Sequence, residues 1–548
     1  MESPPVPGTI HLVDTAGQHA TALSKDGIEL IPRPSADPED PLNWSERRKK
    51  ISAIMVVVYT LGTGFASTFH YPILGVIAED VGLSINTMVQ GTGVTFLFLG
   101  WACLLWQPIA TTFGRRGVYL ISTLAMVPLM VWSSYMKNTA DWYATRILIG
   151  IMLSPIESLP EVSVPDIFFA HNRGAWMGLY VFILFGSNFL GPLVAGWFTQ
   201  AYGWRWCMKF GAMVVALTFV ILYFGMEETM YVRGTLEGMD DPSESVTEGV
   251  SEPAAVEPTE PAILSEKQEP KTSPGSSDIE ASAQPTGFAP PRSYIQKLNP
   301  FVNLPGRPST RAMFKGMYVP LIILTQFPTV VWAGFIYGIN LSWYNVLNGT
   351  IAPIMGAAPY NWTTGEIGSL YTGPIIGAAI GSVWAGVVAD KITLWMARRN
   401  NGIREPEQRL WILALSSVLS CVGLITWGVG AAHDIHWVGL AFALGILTFS
   451  VVAGGSVALS YNVDCFKDIS HESTTSIIIV RNTLGFAISY GITPWYTNMG
   501  LQNCFIMAGF LSLGCTGTFL IMIWKGKDLR RWSAPRYWKM AEAYAHGF

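Results

Sequence analysis

Long apolar runs recur through most of this 548-residue chain, and they constrain its fold more than any other feature. Each run holds roughly 17 to 25 residues, the length that a helix needs to cross a bilayer. Because spanning segments must satisfy every backbone polar group internally, such runs form helices. The pattern predicts an all-α, polytopic membrane protein with twelve transmembrane helices in two six-helix pseudo-repeat bundles. The runs lie at about 51–72, 88–112, 117–136, 143–168, 175–200 and 206–226, and then at about 317–347, 366–389, 409–430, 436–461, 473–494 and 504–524.

The composition supports a lipid environment and excludes several functions. Half of the residues are hydrophobic and only 13% are charged, which is typical of a chain whose solvent is largely lipid. No basic stripe stands apart from the loops, so nucleic acid is not an expected partner. The phosphate-loop, HExxH and GxSxG patterns are absent from the sequence, so we expect neither an enzyme nor an ATP-driven pump. His433 and His436 could touch a metal, but such a pair is more often a solvated loop, and we expect no metal or cofactor.

Basic residues indicate on which side of the membrane each loop lies. Arg47, Arg48, Lys49 and Lys50 directly precede the first apolar run, and short loops rich in such residues usually face the cytoplasm. This orientation makes both termini cytoplasmic. The predicted organisation is a cytoplasmic segment at 1–50, a six-helix bundle at 51–228, a disordered cytoplasmic linker at 229–316, a second bundle at 317–524, and a basic cytoplasmic tail at 525–548.

Two glycosylation acceptors fall in the loop predicted between spans seven and eight, on the external side. They are Asn348, in NGT, and Asn361, in NWT. Glycans attach to exposed loops of this kind. Both asparagines are therefore predicted to be modified.

Several motifs resemble those of the major facilitator superfamily, in which the turn between spans two and three reads G-x-x-x-D-R-x-G-R-R. In that turn Gly114, Arg115 and Arg116 match, whereas Gln107 replaces the first glycine and Thr111 the aspartate. The second half keeps the core of the motif, and span five resembles the GP-containing motif of the proton antiporters in this superfamily. These further matches are Gly386, Asp390 and Lys391 in the second half, and Gly191, Pro192 and Gly196 in span five.

The segments PEDPLNWS, DIFFAHNRG and GWRW are similar to those of the fungal twelve-span drug and polyamine:proton transporter branch. The resemblance implies transport of a small organic solute by alternating access, driven by protons. It also implies gating roles for the motif residues. The export direction follows from the resemblance alone.

Charged residues inside predicted spans are candidates for the transport chemistry, because charge in a bilayer is costly. Arg146, Glu157 and Glu161 lie on one helical face of span four. Arg146 is roughly 16 Å from Glu157 along the helix and cannot pair with it; it binds within the protein or reaches the outer surface. The two glutamates face each other one turn apart, which favours a proton on one of them. They could instead hold a cation, or only hydrogen-bond a neighbouring helix.

Two later spans carry further candidates. Span seven offers aromatic rings and an amide that could hold an organic cation, although interface belts and packing are alternatives for each ring. In span eleven, a cation and its neighbouring amide could close a gate or bind an anion, or could reach the cytoplasmic surface. The residues are Trp332, Tyr337, Asn340 and Tyr344 in span seven, and Arg481 and Asn482 in span eleven.

The leading hypothesis is a proton-coupled secondary transporter that exports small organic molecules such as drugs or secondary metabolites. Proton-coupled uptake of cationic amines or polyamines is an alternative that the paired glutamates would suit at least as well. A second alternative is a membrane sensor that keeps the fold without transport, because function resides in the site and not in the fold. The expected partners are protons, the solute and membrane lipid, with the protein a monomer in the plasma membrane.

Overall fold

The computed structural model describes residues 6–11, 35, 37–231, 293–301, 307, 309–400 and 402–545. Within these ranges, eleven helical stretches are long and apolar enough to cross a membrane, and one strongly bent helix pair brings the number to twelve. The predicted all-α membrane fold is therefore confirmed. Two strands of two residues each, β1 (Ile10–His11) and β2 (Ile403–Arg404), pair antiparallel.

The amino-terminal half consists of the helices before residue 232. Span four is divided into α6 and α7, because Pro155 takes the first position of a new helix and Pro160 and Pro165 follow inside it. The helices are α1 (Glu46–Ser67), α2 (Leu74–Val81), α3 (Ile85–Trp101), α4 (Cys103–Phe113), α5 (Arg115–Ser134), α6 (Thr139–Leu153), α7 (Pro155–Ile167), α8 (Ala170–Tyr202) and α9 (Trp204–Gly225).

The carboxyl-terminal half follows after a short helix, α10 (Tyr294–Lys297). It repeats a detail of the first half: Gly203 ends α8 with a φ of +81°, and Gly500 ends α18 with a φ of +77°. Both turns use a region that favours glycine. The helices are α11 (Thr310–Gln326), α12 (Pro328–Gly356), α13 (Thr364–Ser369), α14 (Thr372–Val383), α15 (Ala389–Arg399), α16 (Leu413–Ala432), α17 (Trp437–Cys465), α18 (Ser470–Met499), α19 (Leu501–Gly517) and α20 (Phe519–Ala545).

The structure corrects the end of the predicted linker at 229–316. Residues 232–292 lie outside the described residues, but α10 is helical and α11 begins at Thr310. Arg116 donates to the carbonyl oxygen of Asn299 at 2.8 Å, and Lys297 pairs with Glu227 at 3.1 Å. The segment 293–301 is therefore held against the amino-terminal half.

The predicted tail at 525–548 is helical as far as the structure describes it, and α20 packs on the second half. Arg530 is buried and pairs with Glu407 at 2.7 Å. The same guanidinium contacts the carbonyl oxygen of Pro7 and donates to Thr9 Oγ1 at 3.3 Å. The amino-terminal residues 6–11 are thus attached to the carboxyl-terminal half.

The prediction that Asn348 lies in an external loop is wrong. Helix α12 continues to Gly356, so Asn348 lies within it and is only 2% exposed. Its Oδ1 accepts a hydrogen bond from the Tyr371 hydroxyl at 3.0 Å. Asn361 is exposed in the turn after this helix, and its glycosylation stays a prediction.

Candidate functional site

An ion pair joins the two halves of the protein. Arg481 Nη2 on α18 lies 2.7 Å from Glu157 Oε2 on α7, and the two side chains are 3% and 14% exposed. The guanidinium of Arg481 also lies over the ring of Tyr337, 4.6 Å from its centroid, and donates to Asn482 Oδ1 at 3.3 Å. All four residues are among the candidates predicted from the sequence. The structure brings them together, and it places Arg481 inside the protein and away from the surface.

Glu161 lies one turn after Glu157 and faces a different space. It lines a cavity of about 630 Å³ between the halves, which also reaches the exposed residues Asp390 and Lys467 on the predicted cytoplasmic side. Within the described part of the chain, Glu161 forms no ion pair. Two carboxylates with different surroundings therefore stand one turn apart: Glu157 is neutralised by Arg481, and Glu161 borders the open cavity.

A second, smaller cavity of about 60 Å³ lies on the other side of the ion pair. Glu157 and Arg481 form part of its wall, together with Tyr337, Tyr344 and His70. Glu157 and Glu161, one turn apart, thus line different cavities.

The halves are in close contact on the predicted external side. A Cβ atom at Gly196 of α8 would lie 2.4 Å from the carbonyl oxygen of Thr364 and 2.9 Å from Cα of Gly368, so the backbones of α8 and α13 touch. Trp197 Nε1 donates to Ser369 Oγ at 2.8 Å in the same region. The two halves therefore touch at this end, and the cavity beside Glu161 lies towards the opposite end.

Arg146 is not part of the Glu157 site. It is 2% exposed inside the amino-terminal half, with Nη1 3.2 Å from His70 Nδ1 and Nη2 donating to Ser133 Oγ at 3.3 Å. Its guanidinium also lies over the ring of Trp142, at 4.5 Å. It does not reach the outer surface.

The span-seven candidates separate into two pairs. Tyr337 and Tyr344 line the small cavity. Trp332 instead donates to Thr518 Oγ1 at 3.0 Å, and Asn340 is buried with Nδ2 donating to its own helix at Ile336. Only the two tyrosines are placed to contact a solute there.

The motif turn of the first half is held by acidic residues from elsewhere in the chain. Arg115 pairs with Asp166, at the end of α7. The backbone amides of Arg115 and Arg116 donate to the carboxylate of Glu228 at 3.0 and 3.1 Å. Gly114, with a φ of +103°, lets the chain turn beside this carboxylate. The carboxylates of Asp166 and Glu228 thus bind this basic turn, in which Thr111 replaces the motif's own aspartate.

In the second half the motif aspartate keeps its charge partner. Asp390 Oδ1 lies 2.7 Å from Arg409 Nη2, and Arg409 Nε lies 3.4 Å from Asp464 at the end of α17. Gly386 lies in a π-helical turn before α15, and Lys391 is exposed. Asp166 and Asp464 hold equivalent places in the two halves.

The span-five motif residues contact different partners. Gly191 packs against α1 within the amino-terminal half, whereas Gly196 packs against α13 of the other half. Pro192 lies between them, inside α8. One motif therefore serves both internal packing and contact between the halves.

Sequence reasoning did not select several residues that complete these clusters. They are His70, Asp166, Glu228, Arg409 and Asp464. The acidic residues among them, and Arg409, lie at helix ends beside basic loops. A residue of opposite charge near each basic turn is the sequence signal that could have identified them. The sequence signal for His70 was only that a polar residue is uncommon inside an apolar run.

Comparisons with known proteins agree with this architecture. A family model described as Major Facilitator Superfamily matches residues 56–341. The chain is 30% identical to "Uncharacterized MFS-type transporter C1271.10c" of Schizosaccharomyces pombe, over 97% of this chain and 94% of that one. It is 28% identical to "Protein HOL1" of Saccharomyces cerevisiae, over 97% and 96% of the two chains. It is 25% identical to "MFS transporter cpaT" of Aspergillus oryzae, over 90% of each chain.

Proposed function

Because the chain belongs to the Major Facilitator Superfamily and is a membrane transporter of that type, we propose that it is a proton-coupled secondary transporter. It exports small organic molecules, such as drugs or secondary metabolites, by alternating access. The observation that carries this proposal is the ion pair of Glu157 and Arg481 between the halves, beside a cavity that contains Glu161.

The ion pair gives a proton a way to change the contact between the halves. Opposite charges attract strongly where water is scarce, and protonating Glu157 cancels one of them. Arg481 is then a buried cation without its carboxylate, a costly arrangement. Proton binding at Glu157 therefore weakens the contact between α7 and α18 and biases the equilibrium between the two access states.

Glu161 has a different part in this scheme. It borders the cavity on the predicted cytoplasmic side and is the first of the two carboxylates that a proton or a cationic group meets from there. Repulsion between neighbouring carboxylates makes occupation of one depend on the charge of the other. Glu161 thus passes the proton to Glu157 or exchanges it for the solute.

Uptake of cationic amines or polyamines is the second candidate, and one observation favours it. Glu161 forms no ion pair within the described residues, and Tyr337 nearby already holds a guanidinium over its ring at 4.6 Å. A carboxylate and an aromatic face are the groups that recognise an organic ammonium ion. Glu161 would then bind the solute directly, while Glu157 carries a proton in the same direction.

The proposal includes the setting of the protein. The transporter is a monomer in the plasma membrane with both termini in the cytoplasm. The helices before and after residues 232–292 act as two bundles that move against each other. A sensor without transport, the remaining alternative, would bind a solute and show no flux.

The test is flux through the purified protein in liposomes under an imposed pH gradient, against a panel of organic amines and hydrophobic drugs. Glu161→Gln and Glu157→Gln should each abolish gradient-driven flux. Glu79→Gln, which changes an exposed carboxylate at the end of α2, should leave flux unchanged. The direction of flux and the preferred solute separate export from uptake.

A double variant separates coupling from folding. Glu157→Gln alone leaves Arg481 buried without a partner, which costs about 3–5 kcal/mol, so lost flux could reflect unfolding. Glu157→Gln with Arg481→Gln removes both charges, and we expect it to unfold in detergent near the wild-type temperature while solute movement no longer responds to the gradient. Gradient-driven flux that persists in the double variant would exclude the ion pair as the coupling element.

A further inference from the structure

Helix α11 is not collinear with the helix that follows it. It is bent by 95° relative to α12 at Phe327, directly before Pro328. The 29 residues of α12 extend for about 43 Å, enough to cross a bilayer alone. If α12 crosses the membrane, α11 lies parallel to the membrane plane.

One face of α11 rests on both halves of the protein. A Cβ atom at Gly316 would lie 3.5 Å from the Pro108 ring, which belongs to α4 of the first half. The carbonyl oxygen of Pro320 accepts a hydrogen bond from Ser476 Oγ of α18, in the second half, at 2.8 Å. Both contacts are near the helix ends that the charge pattern assigns to the cytoplasmic side. Helix α11 therefore lies at the predicted inner surface of the membrane.

The opposite face of α11 is exposed and largely apolar. Its residues recur every three or four positions, the spacing of a single helical face. Two cations occupy this face in the first turns of the helix, followed by aromatic and aliphatic side chains. The face consists of Arg311, Lys315, Phe314 (62% exposed), Tyr318 (49%), Leu321 (37%) and Ile322 (36%).

A helix with this pattern is suited to the boundary between lipid and water. Its apolar residues gain by leaving water for the acyl chains, while Arg and Lys remain among the head groups. Cations in that position attract acidic phospholipids, and each Lys or Arg contributes a similar amount of binding free energy. Charge complementarity thus selects an acidic lipid surface as the occupant of this face.

We propose that the exposed face of α11 docks into the inner leaflet and binds acidic phospholipid head groups through Arg311 and Lys315. Because α11 contacts α4 and α18, which belong to opposite halves, the bound lipid lies where the halves meet. The proposal does not depend on proton coupling or on the direction of transport.

The first part of the test measures depth in the membrane. A nitroxide attached at Phe314→Cys in liposomes should collide with oxygen more than with a water-soluble nickel chelate, as at Phe510→Cys, an exposed position in span twelve. A label at Asp528→Cys, on the exposed surface of the tail helix, should show the reverse preference. Labelled wild type gives the background, because Cys515 is partly exposed. A label at position 314 that behaves as at position 528 would overturn the proposal.

The second part measures lipid choice at the same position. A fluorophore on Phe314→Cys should be quenched more by brominated phosphatidylserine than by brominated phosphatidylcholine. Adding Arg311→Gln and Lys315→Gln should reduce local enrichment by about fivefold for each cation removed. The exchanged pair Arg311→Lys and Lys315→Arg keeps the charge and should preserve the preference. Equal quenching by the two lipids in the unmodified background would contradict binding of acidic head groups.

Discussion

Gly191 shows how much a single missing side chain contributes to this fold. A Cβ atom there would lie 2.1 Å from Thr68 Oγ1 and 2.4 Å from the carbonyl oxygen of Phe65. The hydroxyl can rotate away, but the carbonyl is part of the backbone of α1. A residue with a Cβ atom would therefore collide with the backbone of α1. The absence of a side chain at Gly191 allows α1 and α8 to pack at this short distance.

We predict that Gly191→Ala lowers the stability of the protein, because α1 and α8 must separate to admit the methyl group. Overpacking of this kind costs about 1–3 kcal/mol. Gly186→Ala is the matched control on the same helix, since a Cβ atom there has no neighbour within 4 Å, and alanine favours a helix over glycine. Thermal unfolding in detergent should fall for the first variant and stay equal or rise for the second. A lower midpoint for Gly186→Ala alone would refute this account.

At the same scale, the sequence identifies costly residues more readily than their partners. Glu157 and Glu161 could be selected because an intramembrane carboxylate is expensive wherever it lies. The pairing of Glu157 with Arg481 could not be predicted, because it depends on how α7 meets α18. The prediction that Asn348 lies in a loop was wrong for a related reason, because the apolar run ends at about residue 347 whereas the helix continues to Gly356.

Among the elements, the segment 293–301 is held in part by one carboxylate. Glu227 lies 2.6 Å from Arg48 and 3.1 Å from Lys297. Burial would raise the pKa of Glu227, but the hydrogen bonds and charges of Arg48 and Lys297 outweigh it and hold the pKa below its usual value. Because the folded state lowers this pKa, the contact stabilises the protein above the usual carboxyl range and is lost as the pH falls through the lowered value.

We therefore predict that Glu227→Gln loosens the segment 293–301 at neutral pH. Hydrogen exchange there, corrected for intrinsic rates, should rise in the variant, and in wild type only as the pH falls below about 4.3. Glu39→Gln is the control, because Glu39 meets Arg48 at 3.3 Å and Lys297 keeps its bond to Glu227. Equal protection in wild type and Glu227→Gln at neutral pH would show that other contacts hold the segment.

On the scale of the whole molecule, Gly196 and Gly368 decide how closely the external ends of the halves approach. Their backbones touch, so a larger residue at either place keeps the halves apart. The sequence predicted two bundles of apolar helices, because spans follow from run length and hydropathy. It could not predict which end is closed, because this depends on how α8 meets α13.

We predict that Gly196→Leu shifts the equilibrium towards a state that is open on the external side. Cysteine at Leu341, which is 8% exposed and lines the small cavity, should then react faster with a maleimide that cannot cross the membrane. Gly186→Leu, on the same helix but without a close neighbour, should leave the reaction slow. Slow labelling in both variants would mean that this glycine contact does not control external closure.

The attachment of residues 6–11 to the carboxyl-terminal half has a consequence for the order in which the protein is made. The strand Ile10–His11 pairs with Ile403–Arg404, and Arg530 holds the loop before it. These residues leave the ribosome before residues 403, 404 and 530, so their binding site does not yet exist when they are synthesised. The strand Ile10–His11 therefore reaches its place late, and changes that block its pairing with Ile403–Arg404 would disturb a late step of assembly rather than an early one.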